Sequence, residues 1–365
     1  MASVLREYIR SAFAPPRYLA LPLSGIELSA SGVKAVRLSE GAHGLTLDGY
    51  ADTRLPSGAY ADGEIVDRAT VAEVLAATAR AAGVSAANVA LPESKSYLFE
   101  TSTPGSNSAE WRTAIEQHLD ELVPLPPSET AFDVVRVGTG ERGDALVAGI
   151  GFARRIVDDM LSVFDQAGIR VQALEGETFA SSRALLPRGD ESTALIIDVG
   201  RSTTKISIVS RCIPCFATTI GFGGHSLTLA VQKHFGVTEA EARKIKDERG
   251  IVPVPGNEDY LAAMLSTVSA IRDEISTRLV YWQEKVAVSK AHTPVTHAIL
   301  VGGNASVRGF PEYLEGALGV PVVAGDVFTN LASRDAWIPT LDYTESLAYA
   351  TAIGLALRDD VRTYV

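Results

Sequence analysis

The sequence predicts an α/β protein of two lobes related by an internal duplication. Three observations favour this fold. The chain of 365 residues is too long for one average domain. Short apolar strands alternate with amphipathic helices along its length. Finally, residues 25–34 align without a gap with residues 196–205, and each stretch opens a series of three strands followed by a helix.

The composition is that of a folded protein with an acidic surface. Hydrophobic residues make up 46% of the chain and charged residues 21%, so that a large core can form. A net charge of -11 argues against a broad basic surface, and we therefore predict no nucleic-acid partner. No apolar run approaches the roughly 18 residues that span a bilayer. Since residues 1–30 also show no signal-peptide core, a cytoplasmic location is expected.

In the first half of the chain, the spacing of apolar and polar residues predicts both strands and helices. A short amphipathic helix over Ser3–Phe13 precedes them and ends at Pro15. Strands are predicted at 23–28, 33–38, 45–51, 131–137 and 145–151. Helices are predicted from Asp67 to Gly83, along the face formed by Trp111, Ile115, Leu119 and Leu122 until Pro124, and over 154–167.

The second half repeats the scheme. Strands are predicted at 194–199, 205–210, 214–220, 297–301 and 320–323. Helices are predicted over 226–235, from a capping box at Thr238 and Glu241, from Asn257 to Val286, from Tyr313 and over 344–357. The longest of these, after Asn257, advances its apolar positions by three or four residues without a break, which is typical of an amphipathic helix.

The aligned stretches carry the residues that a phosphate site needs. Glu27 aligns with Asp198, and Lys34 aligns with Lys205 at the same offset. Small residues in a turn let backbone N–H groups approach an anion, hydroxyls add donors, and lysine adds positive charge. An acid that ends a strand can hold Mg²⁺ through water. A single hairpin of this kind more often has only a structural role. The in-register duplication favours a phosphate-binding role for both hairpins.

We therefore predict that the two turns clamp a polyphosphate between them. The predicted phosphate-binding residues are Ser29, Ala30, Ser31, Lys34, Gly200, Arg201, Ser202 and Thr203. The predicted metal-binding residues are Glu27 and Asp198.

Several stretches resemble known proteins. Residues 197–209 resemble the second phosphate loop of actin-like ATPases, and Leu300-Val-Gly-Gly-Asn304 resembles their adenosine-contacting turn. Further stretches resemble the PilM family of type IV pilus assembly in particular, namely 220–227, 235–246, 308–314 and 350–358. The likeness runs from about residue 23 to residue 358. Residues 94–184 resemble the small inserted subdomain that this family shares with the division protein FtsA.

The resemblance implies an actin-like, ribonuclease H-like fold that binds ATP with Mg²⁺. It implies adenosine contacts at Lys246, Gly302, Gly303 and Asn304. It implies a scaffold that recruits the cytoplasmic tail of a PilN-like inner-membrane protein, with a pilus assembly ATPase and self-association as further interactions. The protein would then lie at the inner membrane through its partner.

The same resemblance implies a division of the chain. Residues 1–20 form the N-terminal helix, 21–93 the first lobe, 94–184 an inserted partner-binding subdomain, 185–343 the second lobe and 344–365 a helix that returns to the first lobe.

Two departures from the family pattern bear on activity. Ser29 stands where the first loop usually has glycine, and Arg243 stands where the ribose-contacting helix usually has glutamate. A Cβ at a close-approach position can push the backbone away from phosphate. Hydrolysis also needs a positioned water and an orienting group. We therefore expect a slow ATPase at most.

Alternatives remain open. A polymerising FtsA-like division protein and a small-metabolite kinase share the predicted fold. Cys212 and Cys215 have redox-motif spacing, but they lie between two strands, where no helix end stabilises a thiolate, and two ordinary cysteines are favoured. Gly223 and Gly224 precede a helix, where they either approach a phosphate or serve packing alone.

Overall fold

The computed structural model describes residues 22–140, 143–288 and 292–358. The helix predicted over residues 3–13 lies outside these residues. The strands are β1 (Ser24–Ser29), β2 (Gly32–Gly41), β3 (Gly44–Thr53), β4 (Tyr60–Ala61), β5 (Glu64–Ile65), β6 (Ala86–Leu91), β7 (Ser96–Thr103), β8 (Thr130–Thr139), β9 (Ala145–Ala153), β10 (Arg170–Gly176), β11 (Thr193–Val199), β12 (Thr204–Ser210), β13 (Ile213–Ile220), β14 (His297–Val301) and β15 (Val322–Ala324). The α-helices are α1 (Arg68–Ala82), α2 (Ser108–Glu116), α3 (Leu119–Leu122), α4 (Arg154–Gln166), α5 (Glu177–Leu185), α6 (Gly224–Phe235), α7 (Glu239–Arg249), α8 (Glu258–Val288), α9 (Phe310–Leu318), α10 (Tyr343–Ser346) and α11 (Ala350–Ala356).

Two five-stranded sheets have the same topology. Their strand orders are β3-β2-β1-β6-β10 and β13-β12-β11-β14-β15. In each sheet the first three strands of the chain form an antiparallel meander, and the other two run parallel to the first. The repeated order confirms the predicted duplicated α/β fold with two lobes.

A third sheet belongs to the segment that is inserted between β6 and β10. Its order is β7-β9-β8, and α2 and α3 cover it through a small core that includes Ile115, Leu119 and Val147. The single helix predicted here is divided into α2 and α3, with its apolar face retained. This sheet spans residues 96–153.

The last part of the predicted inserted segment belongs structurally to the first lobe. Strand β10 pairs with β6 in the first sheet, and Met160 and Val163 of α4 are buried in the core of that lobe. The chain therefore leaves the first sheet at the end of β6 and returns to it at β10, beside the strand that it left.

Helix α8 is the predicted long amphipathic helix. Its buried face includes Met264, Val268, Ile271 and Ile275, which lie three or four positions apart. The cap residues of α1 are also the predicted ones, because Asp67 accepts a hydrogen bond from Thr70 N and Gly83 adopts the left-handed conformation.

The C-terminal helical region is interrupted, whereas the sequence predicts one helix over 344–357. Helix α10 is followed by a 3₁₀ turn over Leu347–Tyr349 and then by α11. At this interruption the Leu347 carbonyl accepts a hydrogen bond from Gly302 N at 2.9 Å, which ties the 3₁₀ turn to the end of β14. Helix α11 packs on the first lobe, where Asn88 Nδ2 donates to Leu355 O at 3.0 Å.

Over residues 22–140, 143–288 and 292–358, no helix combines the length and the apolar character that crossing a bilayer requires.

Candidate functional site

The two aligned hairpins are equivalent in structure. In the first, Glu27 on β1 is paired with Lys34 on β2, and in the second, Asp198 on β11 is paired with Lys205 on β12. Cross-strand partners have their Cβ atoms about 5 Å apart and point to the same face of the sheet. The spacing of seven residues therefore places a lysine beside each strand-end acid.

The acids of both hairpins converge on one ammonium group. Lys205 Nζ lies 3.6 Å from Asp198 Oδ2, 3.8 Å from Glu27 Oε1 and 3.0 Å from Glu177 Oε1. The Lys205 side chain is 20% exposed, while those of Glu27 and Glu177 are 6% exposed. The two halves of the duplication thus face one cleft, with Lys205 at the point where they meet.

Burial and charge oppose one another at this point. Burial disfavours the charged form of Lys205, but Glu177, Asp198 and Glu27 together raise its pKa well above the ordinary value. Lys205 therefore stays charged. Burial raises the pKa of Glu177 to about 7, with the Lys205 charge opposing the rise and Glu27 adding to it. Tyr60 lies close by, and its buried hydroxyl, whose pKa is raised by burial and by Glu177, has no hydrogen-bond partner among the described residues.

Glu177 also connects the cleft to the start of the segment that is inserted after β6. It is the first residue of α5, and its Oε2 accepts from Glu93 N at 2.9 Å. In return, Glu93 Oε2 accepts from Thr178 N at 3.0 Å. These reciprocal bonds join the point where the chain leaves the first lobe, after β6, to the point where α5 begins after β10.

The raised pKa of Glu177 predicts a pH-dependent contribution to stability. Its folded value of about 7 exceeds the ordinary 4.5, so the contribution is complete below about pH 4.5 and is lost as pH rises through 7. Glu177→Gln keeps the acceptor for Glu93 N but removes the titration. The free energy of unfolding of the variant minus that of the wild type should rise by on the order of 2 kcal/mol between pH 4.5 and 7.5.

Urea unfolding at several pH values measures this difference. Glu248→Gln, at an exposed position of α7, is the control and should leave the difference flat. A difference for Glu177→Gln that does not change with pH would contradict the assigned burial of this carboxyl. Because Lys205, Glu27, Glu93 and Tyr60 surround Glu177, the comparison with the wild type is needed to isolate its titration.

The arrangement does not fit a directly bound magnesium ion. Mg²⁺ requires near-octahedral oxygen ligands at about 2.0–2.1 Å. Here Glu27 and Asp198, the predicted metal residues, contact the ammonium of Lys205 instead. Within the part of the chain that the structure describes, no group of three or more His, Cys, Asp or Glu side chains is placed to hold a metal ion.

On the other side of the cleft, Asn304 joins the predicted adenosine residues to the second turn. Lys246 Nζ donates to Asn304 Oδ1 at 2.6 Å, and Asn304 Nδ2 donates to Gly200 O at 3.0 Å. Burial lowers the pKa of Lys246, while Asp247 opposes the change. The Asn304 amide thus holds the lysine of α7 and the backbone of the turn in one network.

Position 302 requires glycine because the side chain of Asp198 lies beside it. Its φ of 93° lies in the region that favours glycine, and a Cβ there would overlap Asp198 Oδ1. Since β14 runs parallel to β11, the turn after β14 lies directly beside the end of β11. The predicted adenosine turn and the second phosphate turn are therefore adjacent.

Gly223 and Gly224 contact the second turn rather than open space. Gly224 N donates to Gly200 O at 2.9 Å, and His225 N donates to Arg201 O at 2.7 Å. A Cβ on Gly223 would lie 2.7 Å from Arg201 O. These glycines serve the close approach of α6 to the turn, which supports the packing interpretation.

All of the predicted site residues line one cleft with a volume of about 770 Å³. Binding sites for small molecules commonly measure about 300–1,000 Å³. The cleft brings together Glu27, Ser29, Ala30, Ser31, Lys34, Asp198, Gly200, Arg201, Ser202, Thr203, Lys246, Gly302, Gly303 and Asn304. Their individual roles remain predictions.

The sequence analysis did not assign Lys205, Glu177, Glu93 or Tyr60 to the site. Lys205 had a signal, since it aligns with Lys34. The others have no counterpart in the alignment, and their position depends on strand pairing. The cysteines lie away from this cleft: Cys212 and Cys215 are free thiols, and burial raises the pKa of Cys215 to about 11, which favours two ordinary cysteines.

Solved structures with this architecture include a PilM–PilN type IV pilus biogenesis complex. Its chain is 21% identical to this one, with a TM-score of 0.75, and the match covers 94% of this chain and 99% of that chain. MreB5 of Spiroplasma citri bound to AMPPNP is 14% identical, with a TM-score of 0.54, covering 87% of this chain and 94% of that chain. The same protein bound to ADP is 12% identical, with a TM-score of 0.50, covering 85% and 93% respectively. These likenesses confirm the actin-like fold.

The family follows from the sequence match. The family of the type IV pilus assembly protein PilM matches residues 25–360, which include both hairpins, the inserted segment and α11. This chain belongs to the PilM family of type IV pilus assembly proteins.

Proposed function

We propose that this protein is an actin-like scaffold of type IV pilus assembly that holds a nucleotide between its lobes and recruits an inner-membrane partner. One observation carries the nucleotide half of the proposal. Glu27 and Asp198, from the two hairpins, lie 3.8 and 3.6 Å from the same Lys205 Nζ. Two equivalent turns therefore face each other across one cleft, as a clamp for a polyphosphate requires.

ATP is the proposed ligand. Its phosphates would lie between the turns at 29–31 and 200–203, with Lys34 and Lys205 supplying positive charge. Its adenosine would lie along Lys246 and the turn at 302–304. The related MreB5 structures hold AMPPNP and ADP, which supports a nucleotide in a cleft of this fold.

Turnover is proposed to be slow or absent. In the first turn, the hydroxyls of Ser29 and Ser31 lie 2.8 Å apart in a mutual hydrogen bond, and Ser29 Oγ also donates to Gly32 O. These hydroxyls are engaged within the turn, so the first turn has less to offer a phosphate than the second. Phosphoryl-transfer enzymes accelerate the reaction mainly by positioning the phosphates and stabilising their charge. A first turn that holds phosphate weakly is therefore expected to slow hydrolysis.

The proposed partner is the cytoplasmic tail of a PilN-like protein. The PilM structure to which this chain is similar was solved as a complex with PilN. Through that partner the protein would lie on the cytoplasmic side of the inner membrane. A pilus assembly ATPase and a second copy of the chain are the further proposed contacts. Membership of the PilM family favours this scaffold role over an FtsA-like polymer and over a kinase.

Nucleotide and partner are proposed to act on one another through Glu177. This carboxylate contacts Lys205 in the cleft and Glu93 N where the chain leaves the first lobe. A phosphate that draws Lys205 toward itself weakens the first contact and leaves the second in place. A ligand shifts a conformational equilibrium only through such differential contacts.

A peptide titration tests the proposed function. The peptide is the cytoplasmic N-terminal tail of the PilN-like protein of the same organism, with a scrambled peptide as the control. Fluorescence anisotropy should show saturable binding of the tail alone, with an affinity that changes by a factor of about 5 or more when ATP is added. Failure of the tail to bind at millimolar concentration would contradict the scaffold role.

A further inference from the structure

Lys205 lies at the point of the cleft where the acids of the two hairpins meet. Its ammonium is within 4 Å of a carboxylate from each hairpin and of Glu177 at the start of α5. Lys34, its counterpart in the first hairpin, forms an ion pair with Glu27 at 3.9 Å and with no other acid among the described residues. The two lysines are therefore equivalent in the alignment but differ in their ion pairs, because Lys205 contacts carboxylates of both hairpins.

From its central position Lys205 forms ion pairs with the acids of the cleft floor, while the buried Glu27 Oε2 has no hydrogen-bond partner among the described residues. Buried carboxylates are stable only when they are paired or hydrogen-bonded. Lys205 pairs Glu27, Asp198 and Glu177 at once, and its nearest contact, with Glu177, is at 3.0 Å. A divalent ion bound directly by Glu27 and Asp198 would have to displace this ammonium, leaving two like-signed cations side by side.

The same ammonium is accessible to a ligand. Lys205 lines the cleft together with the turn at 200–203, and its side chain is 20% exposed. An ammonium group donates three hydrogen bonds and binds phosphate as a point charge. A phosphate oxygen can therefore take one of its donors while a carboxylate keeps another.

We propose that Lys205 takes the place of a divalent cation in this cleft, so that the protein binds a nucleoside polyphosphate without Mg²⁺. The inference rests on the proposed nucleotide function and adds to it the identity of the cation. In this proposal, Lys205 determines whether nucleotide binding depends on a metal ion. Lys34 provides an additional contact to the phosphates.

Two measurements on the wild type test the inference. Calorimetric titration with ATP is carried out once in EDTA and once in excess MgCl₂. The two dissociation constants should agree within a factor of about 3, which is less than 1 kcal/mol. Electron paramagnetic resonance with Mn²⁺ alone, on nucleotide-free protein, should show no saturable site.

The variant Lys205→Gln removes the charge and keeps most of the side chain. We expect it to lose ATP affinity about tenfold or more in EDTA and to recover affinity when Mg²⁺ is added. It should also gain a saturable Mn²⁺ site, since Glu27 and Asp198 then lose their ammonium. Lys244→Gln, which removes one charge from an exposed position on α7, is the control and should behave as the wild type.

The outcomes are distinct. Wild-type binding that falls tenfold or more in EDTA, or a saturable Mn²⁺ site in the wild type, would overturn the inference and leave nucleotide binding intact. An absence of ATP binding in both buffers would reject the proposed nucleotide function and the inference with it. The wild-type measurements decide the matter even if Lys205→Gln does not fold.

Discussion

Gly354→Ala should destabilise the protein by about 3 kcal/mol, because the new Cβ has no space. Gly354 lies in α11 where this helix crosses α5, and a Cβ there would overlap the carbonyl oxygen of Ala180. Both residues are fully buried. The obstacle is backbone rather than a movable side chain, so the helices themselves must separate. Because α5 begins at Glu177, the separation should also disturb the cleft.

Chemical denaturation of the wild type and the variant measures this loss. Gly316→Ala in α9 is the matched control, since no atom lies within 4 Å of the position of its Cβ. Alanine there should stabilise the helix by about 0.5–1 kcal/mol through its higher helix propensity. Equal free energies of unfolding for the two variants would contradict the close crossing of α11 and α5.

Gly224→Ala should lower stability by about 1–3 kcal/mol and nucleotide affinity by about tenfold. A Cβ on Gly224 would overlap the side-chain amide of Asn304. Asn304 would have to move, so Lys246 Nζ would lose its acceptor and Gly200 O would lose a donor. The second turn and the lysine of α7 would then no longer be held together.

A double-mutant cycle makes this prediction specific. In an Asn304→Ala background the obstacle is gone, and Gly224→Ala should cost less than it does in the wild type. Gly221→Ala is the control, because its Cβ would meet no atom within 4 Å. Additive free energies for Gly224 and Asn304 would show that the two positions do not interact, contrary to the structure.

Local patterns were sufficient to predict the elements whose signals lie within a few residues. The three-strand units that begin each lobe, the caps of α1 at Asp67 and Gly83, and the apolar face of α8 all depend on spacing along the chain. Turn chemistry, capping and periodicity act at this range. These predictions are confirmed.

Elements whose existence depends on distant partners were not predicted. The sequence patterns predicted no strand at the positions of β6, β7 and β10. Strand β7 pairs with β9, which lies about 50 residues away in the chain. At the interruption near Leu347, the hydrogen bond to its carbonyl likewise comes from Gly302 N, which a reading of residues 344–357 alone does not include.

Some residues of the candidate site could be predicted from local sequence patterns, and others could not. Glu27, Asp198 and the two turns were found because the duplication presents each twice. Glu177 occurs once, at the start of α5, and its importance comes from burial beside Lys205. Burial and cross-lobe contacts are properties of the folded chain, and so the residues that join the two hairpins could not be predicted from either hairpin alone.

The central claim is that the two equivalent hairpins hold one nucleotide between them, and hydrogen–deuterium exchange with and without ATP tests it most directly. Peptides that cover residues 28–34 and peptides that cover residues 199–206 should both become protected on ATP addition, while helix α9 (Phe310–Leu318), which does not line the cleft, serves as the internal reference. Protection of one hairpin without the other, or of neither, would contradict the claim.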